Sequence, residues 1–335
     1  MKEEHSNIEV SILLPTYNQE AYIAQALDSL LQQEVDFRVE ILIGDDASTD
    51  QTSAICSDYA LRFPDTIRWI RREENMGLMP NYLDLMVQAK GRYLADCGGD
   101  DWWLGTDRLT KQVAYLEQHP AVGMVCGRHR RWLETSQCYD TDVLDEAAEQ
   151  RLNESKGFEA VADYVNGGVF PNIVLGTALY RQSAMRRLMD VYPRLFYGSH
   201  VYCEDLPLTL GLLFLGPVHF IQEDFFVYRI LSQSMSHAHS PSAHLKGFAY
   251  KALLQTLEIV EVLSLPKGMI SDYLNRQVSD QVYYAVAVRD LERLRWLRQW
   301  TAEHHLSLPW KSRILLRLGK NRFLRTIIRN RWKQR

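Results

Sequence analysis

The sequence predicts an α/β fold, a mostly parallel sheet flanked by helices, with a helical extension at its C-terminal end. Three observations carry that prediction. Short apolar runs of strand character alternate four times with segments of helical period within about 100 residues, and the connections are short, which is the pattern of right-handed βαβ units. Polar and acidic residues gather directly after the apolar runs, where an open α/β sheet places its ligand cleft. Beyond Pro241 the periodicity is helical only. The 335 residues suffice for one large α/β domain and an appendage, and 46% hydrophobic with 24% charged residues is an ordinary globular composition.

The elements follow in order. Val10-Ser11-Ile12-Leu13-Leu14 is an apolar run ended by Pro15, and Thr16-Tyr17-Asn18-Gln19-Glu20 reads as the loop after a buried strand. Tyr22, Ile23, Ala26, Leu27, Leu30 and Leu31 then share one helix face. Val39–Gly44 is a second strand, ending in Asp45-Asp46-Ala47-Ser48-Thr49-Asp50, where Thr49 or Asp50 can cap a helix marked by Ile55, Tyr59 and Phe63. Thr66–Ile70 makes a third strand, Glu74-Asn75-Met76-Gly77 a loop, and Tyr82, Leu83, Leu85, Met86 and Ala89 another helix.

The fourth strand opens the most informative stretch, Gly91 to Trp103. It breaks at Gly98-Gly99 and delivers Asp100-Asp101-Trp102-Trp103. Adjacent carboxylates repel, so at a strand end beside a cleft they call for a counter-charge, most simply a divalent cation with oxygen ligands. Glycines there let a bulky ligand approach the backbone. The competing reading is an Asp-rich turn, and for Asp45 and Asp46 helix capping.

Leu109, Val113 and Leu116 mark a further helix and Ala121–Cys126 a further strand. From Arg128 to Ser155 the pattern weakens, and Asp140, Asp142, Asp145, Glu146 and Glu149 read as a solvated rim. Phe158–Tyr164 is expected as helix, Ile173–Tyr180 as strand and Phe225–Ile230 as strand. Glu204-Asp205 stands just ahead of a Leu-rich helix, where the macrodipole favours ionised carboxylates, which suits a general base and equally a cap. His237, His239 and His244 fit no standard zinc spacing and read as a surface loop. Helices are expected at 246–263, 270–288 and 291–303.

Five cysteines without a C-x-x-C spacing argue for reduced thiols and against a zinc knuckle. No apolar run reaches membrane-spanning length, and the polar N-terminus leads straight into a strand, so neither a membrane span nor a secretory signal is expected. The net charge of −4 conceals an asymmetry: residues 306–335 hold ten Lys/Arg and no Asp/Glu. Within Trp310–Arg335 these cations interleave with Ile314, Leu315, Leu316, Leu318, Phe323, Leu324, Ile327, Ile328 and Trp332, the composition of a basic amphipathic helix suited to an anionic membrane surface. Docking on the protein's own acidic body is the alternative; no nucleic-acid module accompanies the segment, and no nucleic-acid partner is expected.

Taken together, Ser11–Asn18, Asp45–Asp50, Glu74–Gly77 and Gly98–Trp103 resemble the motifs of the family 2 glycosyltransferases, whose fold is GT-A, and the resemblance covers roughly Val10 to Met235. It implies a nucleotide-sugar donor, most often UDP-linked, transferred with inversion to a hydroxyl of a glycan or lipid-linked acceptor in surface polysaccharide synthesis. It implies residues 1–240 as the transferase domain, with 1–127 the nucleotide-binding half and 128–240 the acceptor half, and 241–335 as the helical region. On the matching positions, Tyr17 stacks on the nucleobase, Asp46 hydrogen-bonds it and Pro15 supplies a backbone contact; Asn18, Asp45, Asn75 and Gly77 complete the donor pocket. Asp100 and Asp101 hold the ribose and a Mn2+ or Mg2+ ion, and Asp205, with Glu204, matches the catalytic base. The stretch 225–235 resembles the segment that closes over the donor. Many relatives carry an acid where Gly98 stands, a departure that weakens the expected metal site. The implied setting is cytoplasmic, at the inner face of the plasma membrane. A sugar nucleotidyltransferase would instead need a Gly-rich basic loop after the first strand, and Pro15-Thr16-Tyr17-Asn18 is not one. A module that binds the donor without turning it over is the reading from a different class.

Overall fold

A computed structural model describes residues 8–140, 146–167, 173–231, 247–303 and 306–318. The chain divides into two compact units, Met1–Tyr164 with Gly168–Ile230, and Val165–Gly167 with Leu231–Arg335.

The first unit is built on a nine-stranded sheet. Strands β1 (Ile8–Thr16), β2 (Arg38–Asp45), β3 (Ile67–Arg71) and β4 (Tyr93–Asp96) are mutually parallel in the order β3-β2-β1-β4. Their near-continuous apolar runs, without alternation, suit strands covered on both faces. One face packs Val10, Ile12, Leu14, Ile41, Ile43, Tyr93 and Ala95 against helices α1 (Ile23–Leu31), α2 (Thr52–Arg62) and α4 (Arg108–Gln118). Helix α3 (Leu78–Gln88) sits on the other face, where Asn81 donates to the Gly44 carbonyl at 2.7 Å. Each fully buried Leu or Ile stabilises this arrangement by about 1.5–3 kcal/mol relative to an exposed one.

Register fixes where the strands stop. Thr16 at the end of β1 lies opposite Asp45 at the end of β2, and Leu13 lies opposite Asp96, the last residue of β4. The loop after β4 runs into the two-residue strand β5 (Trp102–Trp103), which pairs antiparallel with β9 (Val218–Ile230), Trp102 opposite Val227. Between β4 and β9 lie β8 (Leu179–Arg181) and β6 (Met124–Leu133), and β7 (Cys138–Tyr139) forms a hairpin with β6. Helices α5 (Glu146–Glu154), α6 (Gly157–Asn166), α7 (Gln182–Val191), α8 (Arg194–Tyr197) and α9 (Asp205–Leu215) follow in the chain.

Three expectations are corrected. Arg128–Leu133, read as loss of pattern, continues β6 alongside β9, and the residues after it form β7 and α5. Glu149, read as part of a solvated rim, is 3% exposed because it takes a two-pronged ion pair from Arg128 at 2.7 and 2.8 Å. Ile173–Tyr180, expected as one strand, is a 3-10 turn at Leu175–Thr177 followed by the three residues of β8. The turn frees the carbonyls of Gly176 and Ala178 to accept from Arg108.

The second unit is helical over Phe248–Val262, Ser271–Val288, Leu291–Glu303 and Trp310–Leu318, with a 3-10 turn at Lys267–Ile270. Its core holds Leu274, Val278, Val282, Leu294, Leu297, Leu315 and Leu316. Arg293 ties the helices together by donating to Gln281 at 2.8 Å and lying over the Tyr250 and Tyr284 rings. Residues 319–335 of the expected basic helix, and the histidines at 237, 239 and 244, lie outside the described residues.

Candidate active site

Three loops at the carboxyl ends of β1, β2 and β4 are laced to one another. The Asp46 N–H donates to the Thr16 carbonyl at 3.0 Å, and the Asn18 side-chain oxygen accepts from the Thr49 N–H at 2.8 Å. The Gln19 N–H donates to the Thr52 hydroxyl at 2.8 Å. Asn18 and Ala47 both adopt left-handed backbone, φ 51° and 60°, so the two loops carry local strain of about 1–3 kcal/mol each, the kind found at ligand sites. Asp45 is fully buried, accepting from the Ser48 N–H at 3.0 Å and from the Ser53 hydroxyl. Asp46 spends one carboxylate oxygen on the Met76 N–H and the other on the Gly77 N–H, at 2.8 and 2.9 Å. It thereby pulls the Glu74–Gly77 loop, with exposed Asn75, against the same edge. Tyr17, in the loop after β1, is 44% exposed, and Pro15 at the end of that strand is half-buried.

The β4 loop joins through close approach. A Cβ on Gly99 would stand 2.7 Å from the Thr16 hydroxyl, so only glycine lets this loop lie on the β1 loop. A Cβ on Gly98 would stand 3.1 Å from an Asp100 carboxylate oxygen and 3.2 Å from one of Asp101. The two carboxylates therefore converge on Gly98. Burial pushes both carboxyls up, and for Asp101, well above the carboxylate range, the neighbouring Asp100 charge adds to it.

Arg229 of β9, 5% exposed, locks this loop from the far side. Its N–H donates to the Asp101 carboxylate at 2.8 Å, its Nε to the Asp100 carbonyl at 2.7 Å, and its remaining nitrogens to Glu134 and Gln25, both at 2.5 Å. The guanidinium lies over Tyr22 and Trp102, each 4.6 Å to the ring centre.

Glu204 and Asp205 form the start of α9. Asp205 opens to solvent on one side while protein crowds the others, and burial raises its carboxyl to about 6. Glu204 is driven well above the carboxylate range by burial first and the Asp205 and Asp96 charges next. The helix dipole, expected to keep this pair ionised, is outweighed by desolvation and mutual repulsion. The field of Asp205 reaches both Asp101 and Asp96, which brings the acid pair of α9 and that of the β4 loop into one electrostatic neighbourhood.

Below them lies Asp96, 7% exposed, accepting from the Tyr82 hydroxyl at 2.6 Å, with the Tyr180 hydroxyl 2.8 Å from that of Tyr82. Among the described residues its other oxygen has no hydrogen-bond partner, and burial raises its carboxyl to about 7. Arg108, fully buried, donates to Gln112 at 3.0 Å, to the Gly176 carbonyl at 2.5 Å and to the Ala178 carbonyl at 3.0 Å, and stacks 3.8 Å over Trp103.

Tyr17, Asn18, Asp45, Asp46, Gly77, Asp100 and Asp101 thus belong to one connected group of loops, with Asp205 within electrostatic reach. Among the described residues no group of three or more His, Cys, Asp or Glu is placed to hold a metal ion. Sequence reasoning missed Arg229, Arg108, Asp96 and the tyrosine pair. A signal existed for Arg229, a lone cation in the otherwise apolar run Phe225-Phe226-Val227-Tyr228-Arg229-Ile230, since a charge in a buried strand needs partners.

The sequence model described as glycosyl transferase family 2 matches residues 11–189. The chain is 48% identical over 111 residues, 33% of this chain and 32% of the other, to the uncharacterized protein Rv1520 of Mycobacterium tuberculosis. It is 36% identical over 115 residues to the putative glycosyltransferase EpsE of Bacillus subtilis, covering 34% of this chain and 41% of EpsE. It is 31% identical over 140 residues to the abequosyltransferase RfbV of Salmonella typhimurium, 38% of this chain and 41% of RfbV. These matches span about a third to two fifths of the relatives' lengths. In fold, the chain is similar to S. aureus TarS 1-349 solved with UDP-GlcNAc, at TM-score 0.62 and 16% identity, over 98% of this chain and 92% of that one. A matched family model over more than half of the residues, on a mostly parallel sheet with acid pairs at its carboxyl edge, places the chain among its relatives: it belongs to glycosyltransferase family 2.

Proposed function

We propose that this protein transfers a sugar from a nucleotide-sugar donor, with UDP the first candidate nucleotide, to a hydroxyl of a glycan or lipid-linked acceptor in surface polysaccharide synthesis, inverting the anomeric centre. The observation that carries the reading is the convergence of Asp100 and Asp101 on Gly98 within the electrostatic reach of Asp205. The donor's base lies against Tyr17, with the Pro15 backbone, Asn18, Asp45 and Asp46 shaping its pocket and Asn75 and Gly77 closing the edge. Asp205, on the open side of the acid group, takes the proton of the attacking hydroxyl at a carboxylate oxygen, and Glu204 beside it orients the acceptor. A single in-line displacement needs no protein nucleophile.

A divalent cation, Mn2+ or Mg2+, fits the donor set: two hard carboxylate oxygens share a partly dry corner in which burial and like charge disfavour ionisation without a partner. Asp100 and Asp101 would hold it, and when bound it would offset the charge that grows on the departing diphosphate. Gly98 supplies no third carboxylate, so waters and diphosphate oxygens would complete the shell. The ten cations of 306–335 suit a position at an anionic membrane surface, the cytoplasmic leaflet of the plasma membrane.

Release of UDP or GDP from a panel of nucleotide sugars, with and without Mn2+, tests the reading. Metal-stimulated release from at least one donor, lost in Asp101→Asn, supports it. Saturable donor binding without product for every donor and acceptor would leave a binding module instead.

A further inference from the structure

We infer that helix Trp310–Leu318 is a lipid-docking element that lies in the headgroup plane of an acidic leaflet, with Trp310, Ile314 and Leu318 reaching into the acyl boundary. The inference rests on the reading above that the basic terminus meets an anionic membrane, and it adds the face, the residues and the mode.

The helix has two apolar faces with different fates. Ser312, Leu315 and Leu316 are buried against the helical unit, where the Ser312 hydroxyl meets that of Ser279 at 2.9 Å and Arg298 donates to the Leu316 carbonyl. That side is fixed. Trp310, Ile314 and Leu318, spaced i, i+4, i+8 on the outer side, are 61%, 40% and 53% exposed. Because the inner face anchors the helix, it cannot roll to hide this stripe, and three large apolar side chains in line stay in water unless something covers them.

The rim identifies the cover. Lys311, Arg313 and Arg317 are exposed on the same helix, flanking the stripe, and Lys311 Nζ lies 5.6 Å from the Trp310 ring centre. No acid occurs between 306 and 335. An apolar line bordered by cations on both sides matches a leaflet in which lipid phosphates take the cations and the acyl boundary takes the line, at a depth of about 5–10 Å. A second copy of the chain seated on the stripe would set Lys311, Arg313 and Arg317 against their own like charges, with no local acid to pair them. Nucleic acid would satisfy the cations and leave the stripe uncovered. Among the described residues no helix is long and apolar enough to cross a membrane, so the element would lie on the leaflet.

The test is sedimentation of the full chain with vesicles of phosphatidylcholine alone and of equal parts phosphatidylcholine and phosphatidylglycerol. Three proteins are compared: the natural chain, W310S/I314S/L318S and K311Q/R313Q/R317Q, with far-ultraviolet circular dichroism and thermal midpoints confirming that each folds. All six positions are exposed, so the fold should be kept. The natural chain should bind the acidic vesicles and not the neutral ones. The apolar triple variant should lose on the order of a hundredfold in partitioning, since about half of each of the three side chains remains to be buried. The charge variant should lose roughly a hundredfold, at about fivefold per cation. If the charge variant detaches while the apolar variant binds like the natural chain, attraction is purely electrostatic; the insertion inference falls and the membrane reading survives. If the natural chain ignores acidic vesicles, both fall. If it is a dimer that W310S/I314S/L318S converts to monomer, the stripe is a contact between copies and the inference is overturned.

Discussion

Replacing Arg229 with Met isolates what holds the β4 loop in place. The arginine side chain is 6% exposed, and its partner Glu134 is 26% exposed. The change removes three guanidinium hydrogen bonds, to the Asp100 carbonyl, Glu134 and Gln25, and two ring contacts, to Tyr22 and Trp102. Burial works against the Glu134 charge, but the bond and charge of Arg229, with hydrogen bonds from Gln137 and Trp132, together outweigh it and hold that carboxyl below its usual value. Removing one partner of a buried ion pair costs about 3–5 kcal/mol, and water reaching Glu134 should recover some of that, so a loss of about 3 kcal/mol is expected. Guanidinium unfolding followed by tryptophan fluorescence measures it, with Trp102 against the altered site. The double variant R229M/E134M removes the stranded carboxylate and should regain about 2 kcal/mol over R229M. Sugar transfer should stay impaired in both, because neither restores the bond to the Asp100 carbonyl. A loss under about 1 kcal/mol for R229M, or a double variant no more stable than the single one, would refute the assignment of this arginine as the loop's anchor.

Further outcomes follow from the acid groups. Asp205→Asn should lower turnover by about 10²–10⁴-fold without lowering the unfolding midpoint, since its raised carboxyl already costs stability once ionised; a natural rate would remove Asp205 from that role. With the Asp205 carboxyl near 6, kcat/KM should climb as pH rises through about 6 and then level, and a flat profile between pH 5 and 8 would contradict the assignment. Asp96 has its carboxyl raised to about 7 from 3.8, so between those values the folded chain holds the proton that the unfolded chain has released. Its contribution is therefore intact at low pH and is lost as pH rises across that window. Asp96→Asn should flatten that slope and stabilise the protein at pH 8 by about 2–4 kcal/mol, and destabilisation there in urea unfolding would show that the charge is compensated.

The parallel half of the sheet was legible because its strands are covered on both faces, so each appears as an unbroken apolar run with its polar residues pushed to the carboxyl end. Val10–Leu14 and Val39–Gly44 could be placed to within two or three residues. The half beyond β4 was harder. Arg128-His129-Arg130-Arg131 does not look like a strand, yet it is one, because Glu149 and Asp140 neutralise Arg128 and Arg131 and β9 supplies the backbone partner. Ile173–Tyr180 looks like a strand and is mostly not, since Arg108 competes for its carbonyls. In the site, motif order pointed to the loops, but a sequence holds no record of which buried cation underlies them. Arg108 and Arg229 acquire their surroundings only when segments 68 to 204 residues apart close on one another.

Arg108 differs from most interior cations in what surrounds it. Its hydrogen bonds end on two main-chain carbonyls and one amide, so no carboxylate consumes its charge, and its field extends to Asp96 and Cys97. Burial lowers its own pKa only to about 9, which leaves it positive at neutral pH. Asp96 therefore sits against a positive background that stays charged at neutral pH. Such a fixed charge requires no rearrangement when negative charge arrives nearby, and a substitution there would retune Asp96 and the Cys97 thiol first.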